Sequence, residues 1–252
     1  MKKLNENQYI RSMVLKRDNI PSFNTFPFHL PSIKTLNELS FHPNVTFFVG
    51  ENGMGKSTLL EAIAVAIGFN PEGGSFNFNF STYDSHSSLD KYLRLVKGIK
   101  KPKDGFFLRA ETFYNVATNI EELDREPVPA PRIIDSFGGT SLHQQSHGES
   151  FWATFTNRFR GNGIYILDEP EAALSPLRQL SMLARIHELV CKNSQFIIAT
   201  HSPIVMSYPN AKIVELTEEG IKEVSLEETN HYSIMKQFIE DKDSLLHHLL
   251  NE

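Results

Sequence analysis

Residues 50–57 read Gly50-Glu51-Asn52-Gly53-Met54-Gly55-Lys56-Ser57, which matches the phosphate-loop pattern G-x-x-x-x-G-K-[ST] at every defined position. The apolar run Val-Thr-Phe-Phe-Val at 45–49 precedes this loop and predicts a buried strand. Residues 57–67 follow with good helix formers and apolar side chains all round, which predicts a buried helix. A strand before and a helix after are the context in which this pattern cradles phosphates.

The loop chemistry assigns roles to its residues. Glycines let successive backbone N–H groups converge on phosphate oxygens, and the N-terminus of the following helix faces the same anion. Lys56 would reach the β- and γ-phosphates, and the Ser57 hydroxyl would ligate Mg²⁺. The predicted nucleotide-binding residues here are Gly50, Glu51, Asn52, Gly53, Met54, Gly55, Lys56, Ser57 and Thr58.

A second acidic element follows another apolar strand, Ile-Tyr-Ile-Leu at 164–167. Asp168 at the strand end would hold Mg²⁺, directly or through water. Glu169 points elsewhere and could polarise the attacking water. Taken alone, the pair also fits a helix cap with an acid in its first turn, but beside a phosphate loop the metal and base roles are favoured.

Residues 146–150 read Ser-His-Gly-Glu-Ser and precede an apolar-periodic segment, which predicts a helix start with Ser146 near the cap. Gly148 permits close backbone approach, so Ser146, Gly148 and Glu149 form a candidate anion site. Since the phosphate loop already supplies one such helix, the phosphate met here would belong to another copy of the chain. A capped helix with no ligand is the alternative.

Downstream, Phe-Ile-Ile-Ala at 196–199 predicts a strand that ends in Thr200 and His201. Open α/β sheets bind ligands at the carboxyl ends of their strands, so His201 could donate to a γ-phosphate. A structural histidine is the alternative. Strands separated by helices predict a βαβ architecture with a parallel sheet.

Other segments carry weaker predictions. Phe76, Phe78 and Phe80 alternate with asparagines, which predicts an exposed hairpin. Residues 121–131 are predicted as a loop, residues 211–224 as a hairpin turning at Glu219-Gly220, and the leucine-rich tail as a helix.

The 252-residue composition is that of an ordinary globular protein, with a formal net charge of −5 that offers no general attraction to nucleic acid or anionic lipid. The single cysteine, Cys191, lies in an apolar pattern and is expected to be buried. No signal peptide or membrane span is recognisable, so we expect a cytoplasmic protein without membrane insertion.

Four elements follow one another along the chain: the phosphate loop, the Ser146 turn, the acidic pair and the strand that ends in His201. Their order resembles the ABC class of ATPases, most closely the small stand-alone bacterial ATPases of that class. Ser146-His147-Gly148-Glu149 stands where that family has its Leu-Ser-Gly-Gly-Gln signature, with His147 replacing a glycine. Residues 172–175, Ala-Ala-Leu-Ser, are similar to the family's dimer-contact loop, and His201 is similar to its switch histidine.

The resemblance implies an α/β P-loop NTPase fold: a mostly parallel sheet flanked by helices, an antiparallel β edge and a helical signature subdomain. Residues 1–252 would form one domain, with an insertion and the signature subdomain at about 70–160. It also implies an Mg²⁺-dependent ATPase that works as a homodimer sandwiching two ATP molecules and drives an unknown protein partner. Lys56, Glu169 and His201 would be catalytic.

The resemblance leaves two assignments open. Ser57 and Asp168 would hold the metal, joined by Glu111 if it takes the place of the family's glutamine-loop residue. The adenine would stack on Phe26 or Phe28, although core packing fits either phenylalanine.

Three alternative functions remain. The chain could be the nucleotide-binding subunit of a transporter, although the missing glutamine counts against it. It could be the ATPase partner of a separately encoded DNA-acting effector. A non-hydrolysing ATP switch is disfavoured by the intact Glu169 and His201.

Overall fold

The structure, a computed structural model, describes residues 7–78, 87–125, 129 and 131–251. Its strands are β1 Ile10–Leu15, β2 Glu38–Ser40, β3 Val45–Val49, β4 Leu93–Lys97, β5 Asp104–Arg109, β6 Gly163–Asp168, β7 Gln195–Ala199, β8 Lys212–Thr217 and β9 Gly220–Val224. Its α-helices are α1 Pro31–Thr35, α2 Lys56–Ile67, α3 Phe113–Arg125, α4 His147–Ala153, α5 Pro176–Cys191, α6 Pro203–Met206, α7 Asn230–Glu240 and α8 Lys242–Leu250.

The central sheet has the order β5-β6-β7-β3-β8-β9. Neighbouring strands from β5 to β8 run parallel, and β9 pairs antiparallel with β8 at the edge. This arrangement confirms the predicted α/β fold with a mostly parallel sheet and an antiparallel edge. The hairpin predicted at residues 211–224 is formed by β8 and β9.

The central strands are apolar throughout because both faces of the parallel sheet are covered. Side chains such as Phe47 and Tyr165 belong to the core on the face of α3, α4 and α5. Their neighbours Phe48 and Ile166 point the other way, into the core beneath α2. Alternation along each strand therefore divides the interior into two apolar layers.

A smaller antiparallel sheet, β2-β1-β4, lies beside the central one. The buried side chain of Gln195, at the start of β7, joins the two sheets. Its Oε1 accepts the backbone N–H groups of Tyr9 at 3.1 Å and Ile10 at 2.9 Å. Its Nε2 donates to the carbonyls of Ile10 at 2.8 Å and His42 at 3.0 Å.

Helix α3 corrects the loop predicted from residue 121 onward, since it continues to Arg125. It buries Phe113, Val116, Ala117 and Ile120, the spacing of one helical face. Glu122 and Arg125, two of the charged residues that suggested a loop, lie on the exposed side of this amphipathic helix. Residues 126–128 and 130 lie outside the described residues.

The phenylalanine-rich segment is not an exposed hairpin where it is described. Phe76 lies in a turn and stacks on Phe69 with ring centroids 4.2 Å apart, and Phe78 is buried. Phe80 lies outside the described residues.

Cys191 also differs from expectation. It is exposed at the end of α5, while Leu189 two positions earlier is fully buried. Periodicity places the two residues on different sides of the helix.

Candidate functional site

The residues that follow β3, β5, β6 and β7 gather at one edge of the central sheet, where parallel strands present their carboxyl ends. The phosphate-loop segment leaves β3 at Gly50, whose φ is +134°. A Cβ atom there would lie 2.2 Å from the backbone oxygen of Leu216, so a side chain is excluded. Gly55, with φ +92°, forms the N-cap of α2. Both glycines are therefore required by the path of the loop.

Lys56 lies buried inside this loop. Its Nζ donates to the carbonyl oxygens of Gly50 at 2.8 Å and Glu51 at 2.9 Å. Burial lowers the pKa of Lys56, while the nearby carboxylates, Glu169 first among them, oppose that shift. The two backbone carbonyls are neutral acceptors, so the Lys56 ammonium can exchange them for the oxygens of an anionic ligand, to which its charge is attracted.

Ser57 and Asp168 meet across 111 positions of sequence: the Ser57 Oγ donates to Asp168 Oδ1 at 3.0 Å. Burial raises the pKa of Asp168 to about 6, against the opposing effects of Arg109 and the Ser57 hydrogen bond. A hydroxyl and a carboxylate are hard oxygen donors of the kind that Mg²⁺ prefers. Among the described residues no group of three or more His, Cys, Asp or Glu side chains could hold a metal. Beside Ser57, Asp168 and the candidate Glu111, a cation here would be coordinated by phosphate oxygens and water.

Arg109, at the end of β5, joins this pair and was not recognised from the sequence. Its Nε lies 3.5 Å from Asp168 Oδ2, and its Nη1 donates to Glu61 Oε2 at 2.7 Å. Its Nη2 is 3.4 Å from Oε2 of Glu111. The sequence signal that could have indicated a cationic partner is Glu61, a charged residue within the apolar helix α2.

Glu169 and His201 face each other at the ends of β6 and β7. The His201 Nε2 lies 3.5 Å from Glu169 Oε1. Glu169 has a φ of +51°, a left-handed conformation that costs a non-glycine residue energy. Its backbone N–H donates to the carbonyl of Ala199 at 3.0 Å, which ties the residue after β6 to the last residue of the parallel strand β7.

Two further residues support His201 and were also missed from the sequence. Its backbone N–H donates to Oε1 of the half-buried Glu171 at 2.6 Å, and its Nδ1 lies 2.9 Å from Nε2 of His231 on α7. Burial, with the charges of Lys56 and His231, lowers the pKa of His201. Burial raises the pKa of Glu171. Neither residue belongs to a local motif.

A cleft of about 580 Å³ lies at this edge of the sheet. Its lining is Phe26, Leu30, Asn52, Gly53, Gly55, Lys56, Ser57, Thr58, Glu111, Glu169 and His201. Phe26 is 61% exposed, whereas Phe28 is buried and packs edge-on against Tyr92. Of the two aromatic candidates, only Phe26 is therefore available to a ligand.

Three residues of the loop do not line this cleft. Gly50, Glu51 and Met54 border a second cleft of about 320 Å³ on the other side of the loop, together with His231. The backbone carbonyls of Gly50 and Glu51 nevertheless hold Lys56, as described above.

The Ser146 turn also lies outside the lining of the larger cleft. Its residues form a capping box: Glu149 Oε2 accepts the Ser146 N–H at 3.0 Å and the Ser146 hydroxyl at 2.6 Å. These hydrogen bonds lower the pKa of Glu149. The predicted helix start at Ser146 is confirmed, and α4 continues as a π-helical segment, Thr154–Arg158.

Gly148 packs against the loop that follows Glu169. A Cβ atom on Gly148 would lie 2.6 Å from the carbonyl oxygen of Ala173. The Ser146 turn and the 172–175 loop are thus joined by a backbone approach that only glycine allows.

Comparisons with known proteins give relatives for this fold and site. Residues 18–125 match the profile of a family described as an AAA domain. The chain is 26% identical over 202 residues to the cobalt import ATP-binding protein CbiO of Salmonella typhimurium, covering 75% of this chain and 73% of that protein.

Two solved structures share the fold. One is cbiO1 from Clostridium perfringens, part of the ABC transporter complex cbiONQ, with a TM-score of 0.51 and 16% identity over 97% of this chain and 100% of that one. The other is MJ1267, an ATP-binding cassette of an ABC transporter, with a TM-score of 0.52 and 17% identity over 94% of this chain and 98% of that one.

Proposed function

We propose that the chain is an ABC-class P-loop ATPase that hydrolyses ATP within a homodimer, which holds two ATP molecules between its subunits and drives a protein partner; the AAA-domain match, the identity to CbiO and the shared fold support the class. The observation that supports this proposal most is that the phosphate loop and the Ser146 turn lie in different places. Lys56 and Ser57 line the cleft, whereas the exposed Ser146 turn lies outside it. A second copy could bring its own Ser146 turn to the open side of the cleft.

Phosphate binding would use the loop and its lysine. The N-terminus of α2 and the glycine-rich backbone offer N–H groups to the phosphates. Lys56 Nζ, now on the carbonyls of Gly50 and Glu51, would move to the β- and γ-phosphate oxygens. Ser57 and Asp168, with Glu111 as a further candidate, would hold Mg²⁺, which neutralises charge on those phosphates.

Hydrolysis would use the two residues that face each other across the cleft. Glu169 is partly exposed and would accept a proton from the attacking water or orient it. His201 Nε2 would donate to an oxygen of the γ-phosphate. Arg109 would keep the Asp168 carboxylate in place through its contact with Oδ2.

Closure would come from the partner copy. The N-terminus of its α4 would offer backbone N–H groups to the γ-phosphate, with the hydroxyl of Ser146 released from Glu149. Phe26 would stack on the adenine from the exposed rim of the cleft. ATP would then bridge the subunits, and its hydrolysis would separate them.

Sedimentation of Glu169→Gln tests the homodimer. The substitution removes the base and leaves the phosphate contacts, so hydrolysis should fall by roughly 10²–10⁴-fold. We expect this variant to sediment as a dimer with Mg-ATP and as a monomer with Mg-ADP or without nucleotide. A variant that binds ATP and still sediments as a monomer would contradict the proposal.

A transporter subunit is the second candidate, favoured by the 26% identity to a cobalt import ATP-binding protein. Within the described residues, no helix is both long and apolar enough to cross a membrane. Tagged Glu169→Gln, loaded with ATP in cells, should then be recovered with an integral membrane protein. Recovery with a DNA-associated protein would instead favour a role as the ATPase partner of a DNA-acting effector. The net charge of −5 does not favour that role.

A further inference from the structure

We propose that His231 is a positioning residue whose Nε2–H donates to Nδ1 of His201 and so keeps the proton of His201 on Nε2, directed at the cleft. The inference rests on the γ-phosphate role proposed above for His201. It assigns a function to the first turn of α7, an element outside both sheets.

The contact itself is close and well supported. The two nitrogens are 2.9 Å apart, and the ring centroids are 5.0 Å apart with planes at 60°. Thr229 is fully buried and caps α7, its Oγ1 accepting the N–H of Tyr232 at 3.4 Å. His201 is held from the other side by Glu171, which accepts its backbone N–H at 2.6 Å. The backbone beside each ring is thus held by a hydrogen bond to a neighbouring side chain.

Two neutral arrangements of the pair are possible, since one nitrogen of the contact must carry the proton. In the first, His201 donates from Nδ1, and its bare Nε2 lone pair faces the Glu169 carboxylate at 3.5 Å, which is repulsive. In the second, His231 donates from Nε2, and His201 presents Nε2–H to that carboxylate, which is attractive. The second arrangement is therefore favoured.

The buried Nε2 of His201 agrees with a site that awaits an acceptor. His201 Nε2 is buried and has no hydrogen-bond partner within the described part of the chain. A donor in this position is satisfied when a phosphate oxygen arrives. Burial, followed by the charge of Lys56, lowers the pKa of His201. In the neutral ring, the position of one proton decides whether Nε2 can donate.

Two substitutions at His231 separate donation from packing. In His231→Gln, the side-chain amide nitrogen can still donate close to the position of Nε2. In His231→Phe, a ring remains and the donor is lost; His231→Met, which also lacks an N–H, replaces it if the phenylalanine variant does not fold. Lys236→Ala, on an exposed part of α7, is the matched control.

Steady-state kinetics give the first test. Loss of one neutral hydrogen bond corresponds to roughly a threefold to tenfold effect. We expect kcat for ATP to fall by about that factor in His231→Phe, with KM little changed because the phosphate loop is intact. His231→Gln should recover most of the rate, and Lys236→Ala should equal the wild type.

Nitrogen-15 NMR of histidine side chains gives the second test, with the His201 signals identified by their absence in His201→Gln. We expect the His201 proton on Nε2 in the wild type and in His231→Gln, and a mixture of tautomers in His231→Phe. Unchanged kcat and tautomer in a folded His231→Phe would overturn the inference. Absence of ATPase activity from the wild type would instead overturn the proposed role of His201, whereas the tautomer measurement would still report on the histidine contact.

Discussion

Arg109 Nε lies 3.5 Å from Oδ2 of Asp168, and the same guanidinium donates to Oε2 of Glu61 at 2.7 Å. This network joins the ends of β5 and β6 to α2, the helix that begins at the phosphate loop. All three side chains are at most 14% exposed. Their charges are therefore stabilised by one another rather than by water. Asp168 is thereby held where Ser57 can reach it.

Arg109→Met should destabilise the protein by about 3 kcal/mol, because it leaves two buried carboxylates without a cationic partner. Urea denaturation measures this loss. The matched control is Arg132→Met, whose ion pair with Asp135 is exposed and should contribute no more than about 1 kcal/mol. Equal losses in the two variants would show that the Arg109 network does not stabilise the fold.

The two candidate aromatic residues should behave in opposite ways. Phe26→Ala should weaken ATP binding by about 1–3 kcal/mol, the range for stacking of a base on an aromatic ring, with little effect on unfolding. Phe28→Ala should instead destabilise the fold by roughly 3–5 kcal/mol, since Phe28 is a core side chain.

Inorganic tripolyphosphate provides the ligand control for the stacking prediction. It presents phosphates without a base, so Phe26→Ala should leave its affinity unchanged when both ligands are titrated by calorimetry. An equal loss of affinity for ATP and tripolyphosphate would exclude adenine stacking on Phe26.

Mixing two variants that are each impaired in hydrolysis tests whether the subunits share a site. Lys56→Ala removes charge-assisted hydrogen bonds to phosphate, which should lower ATPase activity about 10- to 100-fold. Gly148→Ala places a Cβ atom 2.6 Å from the Ala173 carbonyl, so the Ser146 turn must shift. ATP binding to the isolated Gly148→Ala chain should be retained, while its hydrolysis should be lost.

A one-to-one mixture of these variants should regain part of the activity, because the heterodimer contains one site with an intact phosphate loop and an intact turn. Lys97→Ala, an exposed lysine outside the cleft, serves as the active control. A mixture no more active than its components would argue that Lys56 and Gly148 serve the same subunit.

His42 should make stability depend on pH. Its Nδ1 accepts the backbone N–H groups of Asn44 at 3.2 Å and Val45 at 3.3 Å, at the start of β3. Burial, followed by the charge of Lys212, lowers the pKa of His42 below its ordinary value of about 6.5. The unfolded chain therefore binds a proton first, so the contribution of His42 is present above about pH 6.5 and is lost as the pH falls toward the folded-state pKa.

His42→Asn keeps an acceptor for these N–H groups and does not titrate. The decrease in unfolding free energy between neutral and mildly acidic pH should therefore be smaller in this variant, as measured by urea denaturation at each pH. His201 titrates in both proteins and cancels in the comparison. Identical pH profiles would show that His42 does not contribute.

Local pattern was sufficient for much of the architecture. The buried strand at Val45–Val49, the helix after the loop and the N-cap at Ser146 were each predicted, because strand burial, glycine and capping residues act within a few positions. Prediction failed where charge concealed an amphipathic helix, as in α3, and where about half a turn of helix separated the buried Leu189 from the exposed Cys191.

The amino-acid sequence by itself determined the phosphate loop, the acidic pair at Asp168 and Glu169 and the alternation of strands and helices, since each depends on neighbours along the chain. Only the tertiary structure decided which distant groups meet: Arg109 beside Asp168, and His231 behind His201. It also placed Phe26 at the cleft and Phe28 in the core. These contacts depend on packing between elements that are far apart in the sequence. Burial removes water from a charged group or a ring, which must then be satisfied by the partner that the fold places beside it.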